Sequence, residues 1–241
     1  MLADSSQNRA QTGTLNRDVH LQAASLYELL EFIAQELPRW RDRPERERKT
    51  SETDLTSQLC GHLASAARRS LGWDFLQFRV EESDEQCNDR KIDLVAAPCA
   101  ATVWIDGRCC YDLQTLLPIE CKRLPTPRSN RRDKREYVIS GTTTTGGIQR
   151  YKAGHHGAMH SLAGMIGYIQ QSNCTFWYDR VTTWIRELDG TGSVWSAKDL
   201  LHAESSDQGT GLSIYRSSHK RENGLPDIEL RHLWIEMTAS R

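Results

Sequence analysis

The sequence predicts an α/β protein in which a mixed central β-sheet is flanked by helices. Two observations point there. Apolar and β-branched runs of strand length recur at residues 73–80, 91–96, 117–123, 162–170, 212–220 and 228–237, several with charges at period two. Around them stand stretches with apolar residues at helical spacing and Ser or Asn at their starts.

Residues 1–22 are polar and aperiodic, and predict a mobile tail. Ser25-Leu26-Tyr27-Glu28 has the capping-box spacing, and Leu26, Leu29, Leu30, Ile33 and Leu37 follow on one helical face. Pro38 is expected to end that helix. Residues 39–49 mix both signs of charge and read as a solvated linker. Residues 23–49 are thus an N-terminal helix and linker ahead of a main domain over 50–241. A second capping box, Ser51-Glu52-Thr53-Asp54, opens a helix to about Arg69 with Leu55, Leu59 and Leu63 as its stripe. Glu52 falls on that stripe and Asp54 nearly opposite. Glu52 has two readings: an exposed first-turn acid that favours the helix dipole, or a carboxylate turned inward to a site.

A strand at 73–80 and an acidic turn at 81–89 lead to the central pair of strands, expected to form a hairpin. In Lys91-Ile92-Asp93-Leu94-Val95-Ala96, Asp93 faces opposite its apolar neighbours. In Leu117-Pro118-Ile119-Glu120-Cys121-Lys122-Arg123, Ile119 and Cys121 share one face and Glu120 and Lys122 the other. Paired strands would bring two carboxylates and one amine together, a set suited to a hard divalent cation with an ammonium beside it. Between the halves, residues 100–107 have the form of an extra strand and turn.

Directly after Lys122, the basic residues Arg123, Arg128, Arg131, Arg132, Lys134 and Arg135 stand against one acid, Asp133. Pro125 and Pro127 make this segment a loop. Its plain reading is a solvated surface loop; beside a metal site it suits a nucleic-acid backbone, bound regardless of sequence and sensitive to salt. After a Thr/Gly loop at 142–147, residues 147–152 predict a short helix on which Gln149 and Lys152 share a face, with Arg150 a lesser candidate. His155-His156 reads as surface loop, because adjacent histidines point apart. Residues 162–170 predict a buried strand whose small residues admit a close neighbour. Asn173 predicts the cap of a helix with Trp177, Val181, Trp184, Ile185 and Leu188 on its core face, stopped by Asp189-Gly190. After a turn at Gly209-Thr210-Gly211, the last two strands predict a terminal hairpin closing the sheet.

Composition narrows the class. A chain of 241 residues with net charge -1 is an ordinary globular composition, and charge clustering rather than net charge decides nucleic-acid binding. No apolar run approaches the roughly 20 residues of a membrane span, and the N-terminus lacks the apolar core of a signal peptide. Seven cysteines without C-x(2-4)-C pairs argue against structural zinc and fit a reducing, cytoplasmic setting. No P-loop, GxGxxG or nucleophile elbow appears.

Asp93 followed by Glu120-Cys121-Lys122, each half in a strand-like segment, resembles the PD-(D/E)XK nuclease superfamily over about residues 50–170. Arg90-Lys91-Ile92 stands where a proline often precedes the first acid. The resemblance implies a restriction-endonuclease-like core and a metal-dependent endonuclease hydrolysing DNA phosphodiester bonds, with RNA left open. It implies Mg²⁺, with Mn²⁺ able to substitute, held by Asp93, Glu120 and the Cys121 backbone carbonyl with help from Glu52. Lys122 would orient a water or neutralise charge, Gln149 would contact the phosphate or nucleophile, and the basic loop with Lys152 would contact nucleic acid. It also suggests an effector of a prokaryotic anti-phage or restriction system that works with a partner subunit or a second copy. Two other readings stand beside it: a catalytically silent nuclease-like subunit binding DNA or protein, and an unrelated α/β protein in which Glu120 and Lys122 form a surface salt bridge.

Overall fold

The structure, a computed structural model, describes residues 17–84, 87, 89–127, 132–141, 146–189, 194–221 and 224–237. In chain order these form β1 (Arg17–Leu21), α1 (Ser25–Arg41), α2 (Glu52–Arg69), β2 (Leu76–Ser83), β3 (Lys91–Pro98), β4 (Ala101–Ile105), β5 (Arg108–Cys110) and β6 (Leu117–Leu124). Then follow α3 (Gly147–Lys152), β7 (Leu162–Ile169), α4 (Cys174–Asp189), a 3-10 turn (Ala197–Asp199), β8 (His202–Asp207), β9 (Leu212–His219) and β10 (Ile228–Glu236).

A seven-stranded mixed sheet runs in the order β2-β3-β6-β7-β10-β9-β8. One face packs on α1 and α2 through Leu29, Leu30, Ile33, Leu55, Leu59 and Leu63 against Leu94, Ile119, Cys121 and Ile166. The other packs on α3 and α4 through Ile148, Val181, Trp184 and Ile185 against Leu124, Met165 and Trp234. The expectation of an α/β protein with a mixed sheet flanked by helices therefore holds. Helix α1 shares its core with α2.

Several local expectations need correction. Residues 17–21 of the expected tail form β1, parallel to β4, with Val19 and Leu21 packed on the core; residues 1–16 lie outside the described residues. Helix α1 starts after Ala24 without a side-chain cap and continues past Pro38 to Arg41. Proline withholds only one hydrogen bond there, and the buried Trp40, its ring 5.8 Å from that of Tyr168, holds the last turn onto the sheet. The strand expected at 73–80 sits at Leu76–Ser83. The central strands pair antiparallel but are not a simple hairpin: β4 and β5 intervene and join β1 in a separate three-stranded sheet. Strands β9 and β10 do form a hairpin, yet β10 lies inside the sheet beside β7, and β8 takes the edge. All seven cysteines are free thiols.

Strand β7 is parallel to both β6 and β10 and is buried at every position. Its glycines admit the neighbours that the sequence anticipated. A Cβ at Gly167 would stand 2.5 Å from Trp234 Cδ1. Trp234 cannot yield, since its indole N–H donates to the Tyr137 hydroxyl at 2.7 Å. Gly167→Ala should therefore destabilise the protein by about 1–3 kcal/mol, the usual cost of overpacking. An unchanged denaturation midpoint would refute that tight contact.

Candidate active site

The β3–β6 ladder holds for only three pairs, Leu94↔Ile119 to Ala96↔Leu117. Beyond Leu94 the strands part, and β6 satisfies its backbone elsewhere. Cys121 N–H donates to Asp93 Oδ2 at 2.8 Å, and Arg123 N–H donates to Glu52 Oε2 at 3.1 Å. The splay thus admits a carboxylate from the start of α2, where Ser51 caps the helix by accepting from Asp54 N–H. Of its two readings, Glu52 takes the inward one.

All these groups meet at Lys122. Its Nζ lies 3.2 Å from Glu52 Oε1, 3.2 Å from Asp93 Oδ2, 2.8 Å from Glu120 Oε1 and 2.9 Å from the Cys121 carbonyl. Arg150 Nη1 adds a second cation 2.6 Å from Glu120 Oε1, and His156 Nδ1 lies 3.2 Å from Glu120 Oε2. Glu120 is wholly buried, whereas Glu52 and Asp93 keep about a fifth to a quarter of their side chains exposed. A cavity of about 270 Å³ lies over these two and is also lined by Thr53, Thr56, Ser57, Val80 and Glu81. Glu81 holds a left-handed backbone at φ 52, in β2 facing β3.

The electrostatics split the three acids. Burial pushes the Asp93 carboxyl up to about 6, helped by the charges of Glu120 and Glu52 and opposed by Lys122. Burial acts the same way on Glu120, but Lys122, His156 and Arg150 outweigh it and hold that carboxyl well below its usual range. Burial would lower Lys122, yet Asp93, Glu120 and Glu52 raise it well above an ordinary lysine. Lys122 is therefore an ammonium throughout the physiological range.

Comparison with protein-family models, curated proteins and solved structures finds no match. Residue geometry is thus what speaks to function. Asp93, Glu120, Lys122, Glu52 and the Cys121 carbonyl are brought together. Gln149 is not: its Oε1 accepts from Ser140 N–H at 3.0 Å and Gly146 N–H at 3.3 Å, so it stitches the loop before α3. Lys152 shares that face of α3 and is buried in an ion pair with Asp199 at 2.5 Å, out of reach of nucleic acid. One step round the helix, Arg150 takes the place expected of Gln149.

Of the basic loop, Arg128 and Arg131 lie outside the described residues. Arg123 donates to the Thr50 carbonyl, Arg132 forms a two-point pair with Glu136, and Arg135 pairs with Asp133. Glu136 and Asp133 reduce the free charge of the segment, and among its described residues Lys134 and Arg132 are exposed bases. His156 corrects another expectation, since it is buried against Glu120 rather than on the surface. A signal for it was present in Gly154 and Gly157, which bracket the histidine pair. No helix among the described residues is long and apolar enough to cross a membrane.

Proposed function

We propose that the chain is a divalent-metal-dependent phosphodiesterase with a restriction-endonuclease-like core, acting as an endonuclease on DNA. One observation carries this reading: four oxygens, from Glu52, Asp93, Glu120 and the Cys121 carbonyl, lie within 3.2 Å of one cationic nitrogen, Lys122 Nζ. Carboxylate and carbonyl oxygens are the donors that Mg²⁺ and Mn²⁺ favour, so the set fits such an ion by its chemistry. Those four residues would hold it. Bound there, the ion would supply a water of lowered pKa and positive charge beside a pentavalent phosphorus.

The chain's own groups do the rest. Lys122, held protonated, cannot take a proton from water; it orients the nucleophile by donating a hydrogen bond, or neutralises charge developing on the phosphate. Glu120 is the fixed wall of the cage, and Asp93 and Glu52 are the acids open to the cavity. Arg123, next along β6, with Arg132 and Lys134 beyond, supplies contacts to a polyanionic backbone.

A second reading has its own support. Among the described residues, no group of three or more His, Cys, Asp or Glu is disposed as a metal site, because the three carboxylates are turned onto Lys122. A catalytically silent subunit that binds DNA or a protein fits that state. Incubating supercoiled plasmid with the protein and Mg²⁺ or Mn²⁺ separates the two. The phosphodiesterase predicts nicking or degradation that EDTA, Asp93→Ala and Lys122→Ala each abolish. Cleavage surviving both substitutions would overturn the assignment. Absent cleavage with retained DNA binding in EDTA would favour the silent subunit.

A further inference from the structure

Glu120 is the one acid of the cage with no solvent exposure, so bulk water cannot orient it. Its Oε1 is shared by Lys122 at 2.8 Å and Arg150 at 2.6 Å, whereas its Oε2 meets His156 Nδ1 at 3.2 Å. An ionised carboxylate only accepts hydrogen bonds, so Nδ1 carries the hydrogen and donates. The loop bearing His156 is itself held. Gly154 and Gly157 flank the histidine pair with φ +67 and +61, and a Cβ at Gly157 would stand 3.1 Å from Pro118 Cγ. The guanidinium of Arg221, a largely buried side chain, donates to the carbonyls of Gly157 and His160 at 2.9 Å each. Gly157 N–H donates to Asp84 Oδ2 at 3.3 Å.

We propose that His156 is a positioning residue for cation binding: its Nδ1–H fixes the carboxylate plane of Glu120 so that the acid presents one orientation to the cage. This rests on the phosphodiesterase reading. His156 touches neither the cage interior nor the cavity, and acts only through Glu120. Hydrogen-bond partners of ligating carboxylates are commonly worth about 10- to 100-fold in metal affinity.

The test is Mn²⁺ affinity of the full chain, by electron paramagnetic resonance or calorimetry, for wild type, His156→Ala, His156→Asn and His156→Gln. Asparagine places an N–H where Nδ1 stands, and glutamine places one nearer Nε2. The expected result is a loss of about 10- to 100-fold in the Ala and Gln variants and a return to within roughly threefold of wild type in Asn. The Asn and Gln melting temperatures should agree, which a merely structural role would not combine with unequal affinities. If the Ala variant does not fold, the Asn and Gln pair decides. Equal Mn²⁺ affinity in wild type and Gln would overturn the inference and leave the phosphodiesterase standing. A wild-type protein that binds no Mn²⁺ would bring down the phosphodiesterase reading and this inference with it.

Discussion

Lys122→Met should lower cleavage by at least about 10²-fold while tightening Mn²⁺ binding about tenfold or more. Methionine keeps most of the volume and removes the charge, so packing is a minor term. In the wild type the ammonium already occupies the point where Glu52, Asp93, Glu120 and the Cys121 carbonyl converge. A unit charge near 4 Å is worth about 4 kcal/mol at an effective dielectric of 20, so three carboxylates facing it compete strongly with any other cation. On the proposed phosphodiesterase reading, removing the ammonium frees the cage and also removes the group that would polarise the nucleophile. Opposite movements of affinity and rate would mark Lys122 as both occupant and catalyst. Weaker Mn²⁺ binding in the variant would sink that view.

The same substitution should steepen a pH dependence. Asp93 has a folded-state pKa of about 6, above its unfolded value, so the folded protein binds this proton more tightly. Its contribution to stability is present at low pH and is lost as pH rises from about 4 through 6. Without the ammonium that now lowers it, Asp93 titrates higher. The stability gap between variant and wild type should then widen from pH 5 to pH 8. Urea denaturation at both values measures it.

Much of this site was legible because side-chain direction follows local period. Two-residue alternation in β6 fixes Glu120 and Lys122 to one face and Cys121 to the other, whatever the rest of the chain does. The helical phase of α2 put Glu52 with Leu55, Leu59 and Leu63, and the Ser51 cap fixed where that phase begins. Short helix α3 gave no such certainty. Over six residues, which side chain reaches the cage is set by tertiary packing: Lys152 lies on the buried face, and the half-buried Arg150 is the one that meets Glu120. Strand β8 was illegible for another reason. His-Ala-Glu-Ser-Ser-Asp is exposed at every position, with no buried face to betray a strand. It is held by its ladder to β9 and by Glu204, which pairs across the sheet with Arg216 and Arg231. Pro38 misled because a proline near a helix end removes one bond, less than the burial of Trp40 contributes.

Acid should destabilise this protein at a place apart from the cage, one that no sequence pattern announced. Seven buried groups form one chain of hydrogen bonds behind α3. Trp234 Nε1 lies 2.7 Å from the Tyr137 hydroxyl, which lies 2.8 Å from His232 Nδ1. His232 Nε2 lies 2.7 Å from Ser217 Oγ, and that oxygen lies 2.6 Å from His219 Nε2. His219 Nδ1 and Lys152 Nζ then meet Asp199 Oδ1 at 2.6 and 2.5 Å. Ser217, His219 and Asp199 have the order of a nucleophile triad, but with all three closed off from solvent the set is structural. The two ends fix every proton. An indole only donates and an ionised carboxylate only accepts, so both histidines are neutral, His219 protonated on Nδ1 and His232 on Nε2. Protonating either one sets donor against donor.

Burial lowers both histidines below their ordinary pKa; for His219 the Asp199 contact opposes the shift without reversing it, and for His232 the neighbouring His219 and Arg231 add to it. The unfolded chain therefore binds protons below about pH 6.5 that the folded chain refuses. The histidines' share of stability should be level above that pH and fall below it, by about 1.4 kcal/mol per pH unit for each, against the opposite slope of Asp93. His232→Gln should remove one histidine's share of that slope. Asp199→Ala, which leaves Lys152 buried without its acid, should cost about 3–5 kcal/mol at pH 7.5, and Lys152→Met with Asp199→Leu together much less than the two separate losses. A His232→Gln variant with an unaltered slope would show that the chain does not hold its protons in this order. Lys152 and Arg150 stand two residues apart on α3, so acid that breaks the first contact also loosens the helix that grips Glu120.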